Sequence, residues 1–197
     1  MKEYRATVNH AFWYDEFRQY IQLLNSGMTA AQIRTLAIEQ NIFLASTPQR
    51  GKQMIGVLER RAKQLNREIL TMFTELDIPN QKIVTMIAIM KMNKLIAEFM
   101  FEAYRNELII GDNILEEHEY TAFFNKKQSE SLEVAEWTNA TVRRMRGVIK
   151  TFLRDSGLVV ERDTKDYLNP IPLNQRLRQA LCNDGQQVII DSLTGEH

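Results

Sequence analysis

The sequence predicts a mainly α fold: a helical bundle with helix-turn-helix-like elements and a small β-hairpin wing near the C-terminus. Three observations point there. Apolar residues recur mostly at three- and four-residue steps, the spacing of one helix face. Only 8 Gly and 4 Pro punctuate the 197 residues. After Gly157 the spacing changes: "LVVE" and "DYLNPIPL" look extended and are joined by the polar turn "RDTK", Arg162 to Lys165. With 44% hydrophobic and 25% charged residues, the chain has enough apolar content for a core.

The elements follow in order. A first helix covers roughly Phe12 to Leu24 and is stopped by "NSG". Its aromatic residues Phe12, Tyr14, Phe17 and Tyr20 have the spacing of a helix docking on a core, with Trp13 at a rim. Thr29 caps a second helix that runs to about Gln40. Thr47 and Pro48 then supply an N-cap and a first-turn proline for a third helix, extending to about Leu76. Pro79 marks the next break. A fourth helix, roughly Lys82 to Leu108, is apolar over most of its circumference and belongs at the centre of the bundle. Lys91 and Lys94 interrupt it too early for a membrane span, which needs about 20 predominantly apolar residues.

After the "GDN" turn comes an acidic stretch: Asp112, Glu116, Glu117, Glu119, Glu130, Glu133 and Glu136, against Lys126 and Lys127. It holds a short helix at Glu116 to Lys126 and another near Leu132 to Trp137. A stronger helix runs from Ala140 to Asp155, capped by Thr138 or Asn139. A last short helix is expected at Leu173 to Leu181. The organisation expected is an N-terminal helical domain (1–110), a winged-helix-like domain (111–182) and a weakly ordered tail (183–197).

The charge balance is +0 and the pI near 6.9, so any polyanion partner must be read from distribution rather than net charge. "TVRRMRGVIKTFLRDSGLVV", Thr141 to Val160, concentrates positive charge. On a helix, Arg143, Arg146, Lys150 and Arg154 share an arc of roughly 80°, opposite Met145, Ile149, Phe152 and Leu153. Gly147 lies in that cationic face. It lowers helix stability by about 1 kcal/mol relative to Ala and offers close approach to something flat, such as a phosphate backbone. The order of short helix, turn, basic helix and hairpin is that of a winged helix-turn-helix, with Arg162 and Lys165 at the wing tip. The alternative is a solvated helix face with a hairpin that merely covers an edge. In the third helix, Lys52, Arg60, Lys63 and Arg67 share a second basic arc, with "NIFLASTP" as a longer turn before it. The acidic 112–136 stretch balances both faces.

Catalytic and metal signatures are missing. His10, His118 and His197 have no ligand partner at metal spacing. His118 in "EEHEY" reads as part of a solvated acidic face. Cys182, the single cysteine, can form neither an internal disulfide nor a zinc site. No G-x-x-x-x-G-K, G-x-G-x-x-G or G-x-S-x-G occurs. The N-terminus lacks a signal-peptide core, so a cytoplasmic protein with no cofactor and no membrane association is expected.

The stretch "YRATVNHAFWYDEFRQYIQLLNSGMTAAQIRTLAIEQNIFLASTPQRGKQMIGVLERRAKQL" resembles the start of the BrxA family of bacteriophage exclusion (BREX) defence systems. The features are a "Y-x-A" entry, a helix ending near a small loop, "N-x-F-x-x-x-T-P", and a basic helix. "TVRRMRGVIKTFLRDSGLV" followed by "NPIPLNQRLRQAL" resembles that family's end, so the likeness covers about Tyr4 to Leu181. It implies a non-catalytic, mainly helical protein with a fold likened to the antitermination factor NusB. It also implies double-stranded DNA as a partner, and work beside a methyltransferase and ATPases in phage defence. A protein-interaction scaffold and an RNA-binding, antitermination-like factor are the rival expectations.

Overall fold

The computed structural model describes residues 3, 4, 6, 10–111 and 113–196; Asp112 of the acidic stretch and His197 lie outside them. Helix α1 (Tyr14–Asn25) buries Phe17, Tyr20 and Ile21. Trp13 precedes it in the left-handed region, φ 49°. Expected at a rim, Trp13 is only 8% exposed, because the Arg50 guanidinium lies 4.6 Å over its ring. Helix α2 (Ala30–Glu39) starts in a reciprocal capping box between Thr29 and Gln32. Helix α3 (Pro48–Ala62) starts as the sequence indicates, with Thr47 accepting from the Arg50 N–H at 3.1 Å.

Two long helices of the sequence reading are broken. α3 does not reach Leu76. The Asn66 side chain accepts from the Ile69 N–H at 2.9 Å and starts a new helix, α4 (Arg67–Met72), followed by a 3-10 turn at Phe73–Glu75. The apolar helix expected over 82–108 begins earlier, as α5 (Ile78–Met92), where Asp77 caps and Pro79 sits in the first turn. It breaks at Asn93, whose extended backbone (φ −135°, ψ 102°) and side chain cap α6 (Lys94–Phe99). A π-helical stretch, Met100–Tyr104, then joins α6 to α7 (Arg105–Ile110), which ends on Gly111 at φ 84°. Asparagine is the common cause: its short amide competes for backbone N–H groups and favours a cap over a helix interior.

The central role of α5 holds. Ile83, Val84, Met86, Ile87, Ile89 and Met90 are all buried. Helix α10 (Asn139–Ser156) packs on it through Met145, Ile149, Phe152 and Leu153, capped by Thr138. Between them in sequence lie β1 (Ile114–Leu115), α8 (Glu117–Glu130) and α9 (Leu132–Ala135). The expected hairpin is β2 (Val159–Arg162) and β3 (Lys165–Leu168), paired Val159 with Leu168 and Arg162 with Lys165. Asp163 and Thr164 turn it, both with positive φ (49° and 64°), as a two-residue hairpin turn requires. The sheet has three strands rather than two, because β1 pairs antiparallel with β3, giving the order β1-β3-β2.

The C-terminal segment is not weakly ordered. After α11 (Gln175–Asn183), helix α12 (Gln187–Thr194) buries Ile189, Ile190 and Leu193 and packs on the π-helical stretch and α7. One hydrophobic cluster runs from Tyr4 to Leu193. Among the described residues no helix is long and apolar enough to cross a membrane.

Candidate nucleic-acid interface

The outer side of α3 carries Lys52, Arg60 and Lys63, all exposed and in no ion pair with a described residue. Gly56 lies on the same stripe, where a Cβ would meet nothing nearer than Arg60 Nη1 at 3.7 Å, so the backbone there is approachable. The single carboxylate of α3, Glu59, is turned away: Arg34 of α2 donates to it through Nε at 2.9 Å and through Nη2. Arg67 is also exposed, but the break at 63–66 moves it onto α4 and off the α3 stripe.

The opposite edge of α3 holds cations that the sequence reading passed over. Arg50 donates to Gln53 Oε1 at 2.8 Å. Arg61 is 2% exposed; its Nη2 donates to the Ala11 carbonyl at 2.7 Å and its Nη1 to that of Phe12. Burial pushes its pKa down to about 9, so the guanidinium stays charged at neutral pH. The left-handed Trp13 follows these two carbonyls, and Arg61 holds that turn in place.

On α10 the cationic arc meets the protein's own carboxylates. Arg146 lies 3.4 Å from Glu117 of α8, which Lys150 also contacts. Arg154 reaches Glu161 of β2 at 2.8 Å and Asp166 of β3 at 2.7 Å. Three cations of the arc thus face three carboxylates, and the fourth, Arg143, is exposed without a described ion pair. From the acidic stretch only Glu117 makes these contacts; the partners of Arg154 come from the hairpin. The hydrogen bond from Lys150, with Arg146 adding to it, holds the Glu117 carboxyl below the usual carboxylate range. A depressed carboxyl contributes stability above its unfolded pKa, and that contribution fades as pH falls through the folded value. Exposed ion pairs of this kind are worth about 0–1 kcal/mol, so a phosphate can displace them. Arg154 is held more firmly, since Asp166 is buried. Arg146 Nε is buried without a described partner and, with Arg143, borders a cleft of about 220 Å³ that also presents Asn125, Gln128 and Asn139. At the hairpin tip, Arg162 and Lys165 are exposed and form no ion pair with a described residue.

A larger cleft, about 650 Å³, opens between α3 and α10. Arg50 and Gln53 line one wall, Arg144, Gly147 and Thr151 the other, and His10 the end. Gly147 therefore faces this cleft, and a Cβ added there would meet nothing within 4 Å. Gly147→Ala should raise stability by about 0.5–1 kcal/mol through helix propensity alone, an increase of roughly 1–4 °C in Tm. Thermal melting followed by circular dichroism measures it; a fall would mean that the backbone needs glycine there. Arg144 was absent from the predicted arc because it sits one residue off it. The stripe Arg144, Gly147, Val148, Thr151, with steps of three and four, was the signal that could have found it.

Elsewhere, His118 is 74% exposed between Glu116 and Glu119, and Cys182 is exposed. Among the described residues no group of three or more His, Cys, Asp or Glu is arranged to hold a metal.

Similarity to known proteins agrees with this chain layout over its whole length. A BREX protein BrxA from Bacillus cereus (strain H3081.97) is 27% identical over 195 residues, covering 98% of this chain and 97% of that one. The crystal structure of an uncharacterized protein from Magnetospirillum magneticum shares the fold, with a TM-score of 0.79 over 99% of this chain and 100% of that one at 15% identity. The profile of the BrxA family matches residues 2–185, so both the α3 stripe and the α10 arc lie inside the matched region, and the chain belongs to the BrxA family.

Proposed function

We propose that this protein is a non-catalytic, double-stranded DNA-binding accessory factor of a BREX phage-defence system. It works in the cytoplasm beside other proteins of that system, such as its methyltransferase and ATPases. The observation that carries the reading is the outer stripe of α3: Lys52, Gly56, Arg60 and Lys63 offer positive charge with no described carboxylate to quench it. Phosphate contacts need such local charge, whatever the net charge of the chain. The strand–helix–helix–helix–hairpin order with strands β1-β3-β2 supports a winged-helix role for the 114–168 region, with Arg162 and Lys165 on the wing. Arg143 joins from α10. Arg146 and Lys150 take part by exchanging Glu117 for phosphates, Arg154 keeps Asp166 and exchanges only the exposed Glu161, and Arg67 lies beyond the α3 stripe as a peripheral contact.

A gel-shift titration at about 50 and 200 mM salt tests this, with duplex DNA, single strands and RNA in competition. Each phosphate contact contributes about −0.9 to the slope of log K against log salt, so α3 alone gives about −3 and engagement of Arg143 and the wing steepens it. A flat salt response sinks the mechanism. A preference for RNA would favour the antitermination-like reading, and co-purification with another defence protein without duplex binding would favour a scaffold.

Glu117→Gln separates the α10 arc from α3. It frees Arg146 and Lys150 from their shared carboxylate. Duplex affinity should rise several-fold, with a slope steeper by about 1–2. Unchanged affinity would place the α10 arc outside the interface.

A further inference from the structure

The cleft between α3 and α10 is distinct from the outer α3 stripe. None of its described lining residues is acidic: His10, Arg50, Gln53, Arg144, Gly147 and Thr151 supply its polar and open positions. Behind it, a second cavity of about 30 Å³ is lined by His10, Arg61 and Asn93, among others. That is room for one water. Arg61 thus carries a charge into the interior with carbonyl oxygens rather than a carboxylate as its hydrogen-bond partners. Glu16 offsets part of this charge from a distance, and the remainder adds positive potential to the nearest concavity, because low-dielectric walls focus the field there.

We propose that this cleft is a phosphate-binding site, with an oxyanion held by the Arg144 guanidinium opposite the α3 cations and hydrogen-bonded by the Thr151 hydroxyl and the Gln53 amide. Gly147 leaves open the volume that the phosphate enters. The planar fork of Arg144 suits two oxygens of one phosphate. His10 reports on occupancy. Burial lowers its pKa first, followed by Arg61, Arg60 and Arg50. Across the cleft Arg144 adds a further cation. A bound oxyanion opposes all of these cations and favours the imidazolium. The phosphate can come from free phosphate, from the terminus of a nucleic acid or from its backbone, which share this chemistry. The residues differ from Lys52, Arg60 and Lys63, so this inference fails separately from duplex binding through the outer stripe.

The test follows the His10 imidazole by NMR, assigned with His10→Gln, against inorganic phosphate and then against duplexes with 5′-phosphate or 5′-hydroxyl ends, at matched ionic strength. The expected result is a rise in the His10 pKa with phosphate. Arg144→Gln should weaken the response at least about tenfold, the loss of one charge-assisted contact. Gly147→Leu, whose side chain occupies the space beside Arg144 and Thr151, should abolish it, with Arg144→Gln melting like wild type and Gly147→Leu no lower than wild type. A response to both duplexes identifies a backbone phosphodiester, and a response to the phosphorylated duplex alone identifies a terminal phosphate. No His10 response to any phosphate overturns the proposal. So does a response that survives Arg144→Gln, which means an adventitious ion only. If Lys52→Glu/Arg60→Glu removes duplex binding while the cleft variants leave every response unchanged, the cleft is excluded and DNA binding through α3 stands.

Discussion

Reversing two charges on α3, Lys52→Glu with Arg60→Glu, removes detectable duplex binding at about 150 mM salt, where screening already limits electrostatic contacts to about 8 Å. Two phosphate contacts disappear and two repulsions replace them. The slope of log K against log salt becomes shallower by about 2. The fold tolerates the change, since both side chains are exposed and neither is bonded to a described carboxylate. Arg60 sits in the last turn of α3, where a carboxylate opposes the helix dipole by about 0.3–1 kcal/mol. The melting temperature should therefore fall by no more than a few degrees. Gel shifts across a salt series, with a melt of the same sample, give both numbers. Retained affinity in a folded double variant would remove α3 from the interface.

The second large effect is on stability. Ile190→Ala lowers it by about 2–5 kcal/mol, the cost of emptying a fully buried aliphatic position. For a chain of this length that is a fall of roughly 4–20 °C in Tm. Ile190 belongs to α12, whose end is tied down twice. Arg105 Nη2 donates to the Glu196 carbonyl at 2.9 Å, and Arg178 donates to the Glu196 carboxylate. The left-handed Gly195 sits against Leu108, where a Cβ would come within 3.1 Å of Leu108 Cβ. A weakly ordered tail would register nothing. Differential scanning calorimetry decides, and an unchanged transition would return 187–194 to the surface.

Much of the helical order was legible, and the reasons are local. Thr29, Thr47 with Pro48, and Thr138 announce helix starts through chemistry confined to four residues. The burial of α5 follows from its continuous apolar surface. The breaks at Asn66 and Asn93 were passed over because the apolar spacing continues through them, and periodicity registers the face of a helix rather than a competing cap. The tail was misjudged because Val188, Ile189, Ile190 and Leu193 form one short run after a glycine turn, with no partner visible until the π-helical stretch is placed beside it. The site was half legible. Helical geometry finds Lys52, Arg60 and Lys63 on one stripe, since that is a property of one element. Whether Arg146, Lys150 and Arg154 are quenched depends on Glu117, Glu161 and Asp166, brought across by the packing of α8 and the hairpin. Arg144 and Arg50 acquire meaning only when α3 and α10 stand opposite each other.

The stretch Met100–Tyr104 winds wider than the helices on either side of it. Each residue of an α-helix advances about 100°, so one surplus residue absorbed in a looser turn re-aims everything downstream by that angle. Before it, Phe99 stacks with Tyr120 at 5.0 Å; after it, Leu108 meets the C-terminal glycine. The rod thus serves two unrelated neighbours at angles that uniform winding could not reconcile. Excising one amino acid between 100 and 104 would swing Arg105 and Leu108 away from the chain end, whereas trimming the solvent-facing bend at 163–164 would disturb only its own hairpin. Length in this protein is therefore more tightly constrained inside a helix than in an exposed turn, the reverse of the usual rule for where insertions and deletions are tolerated.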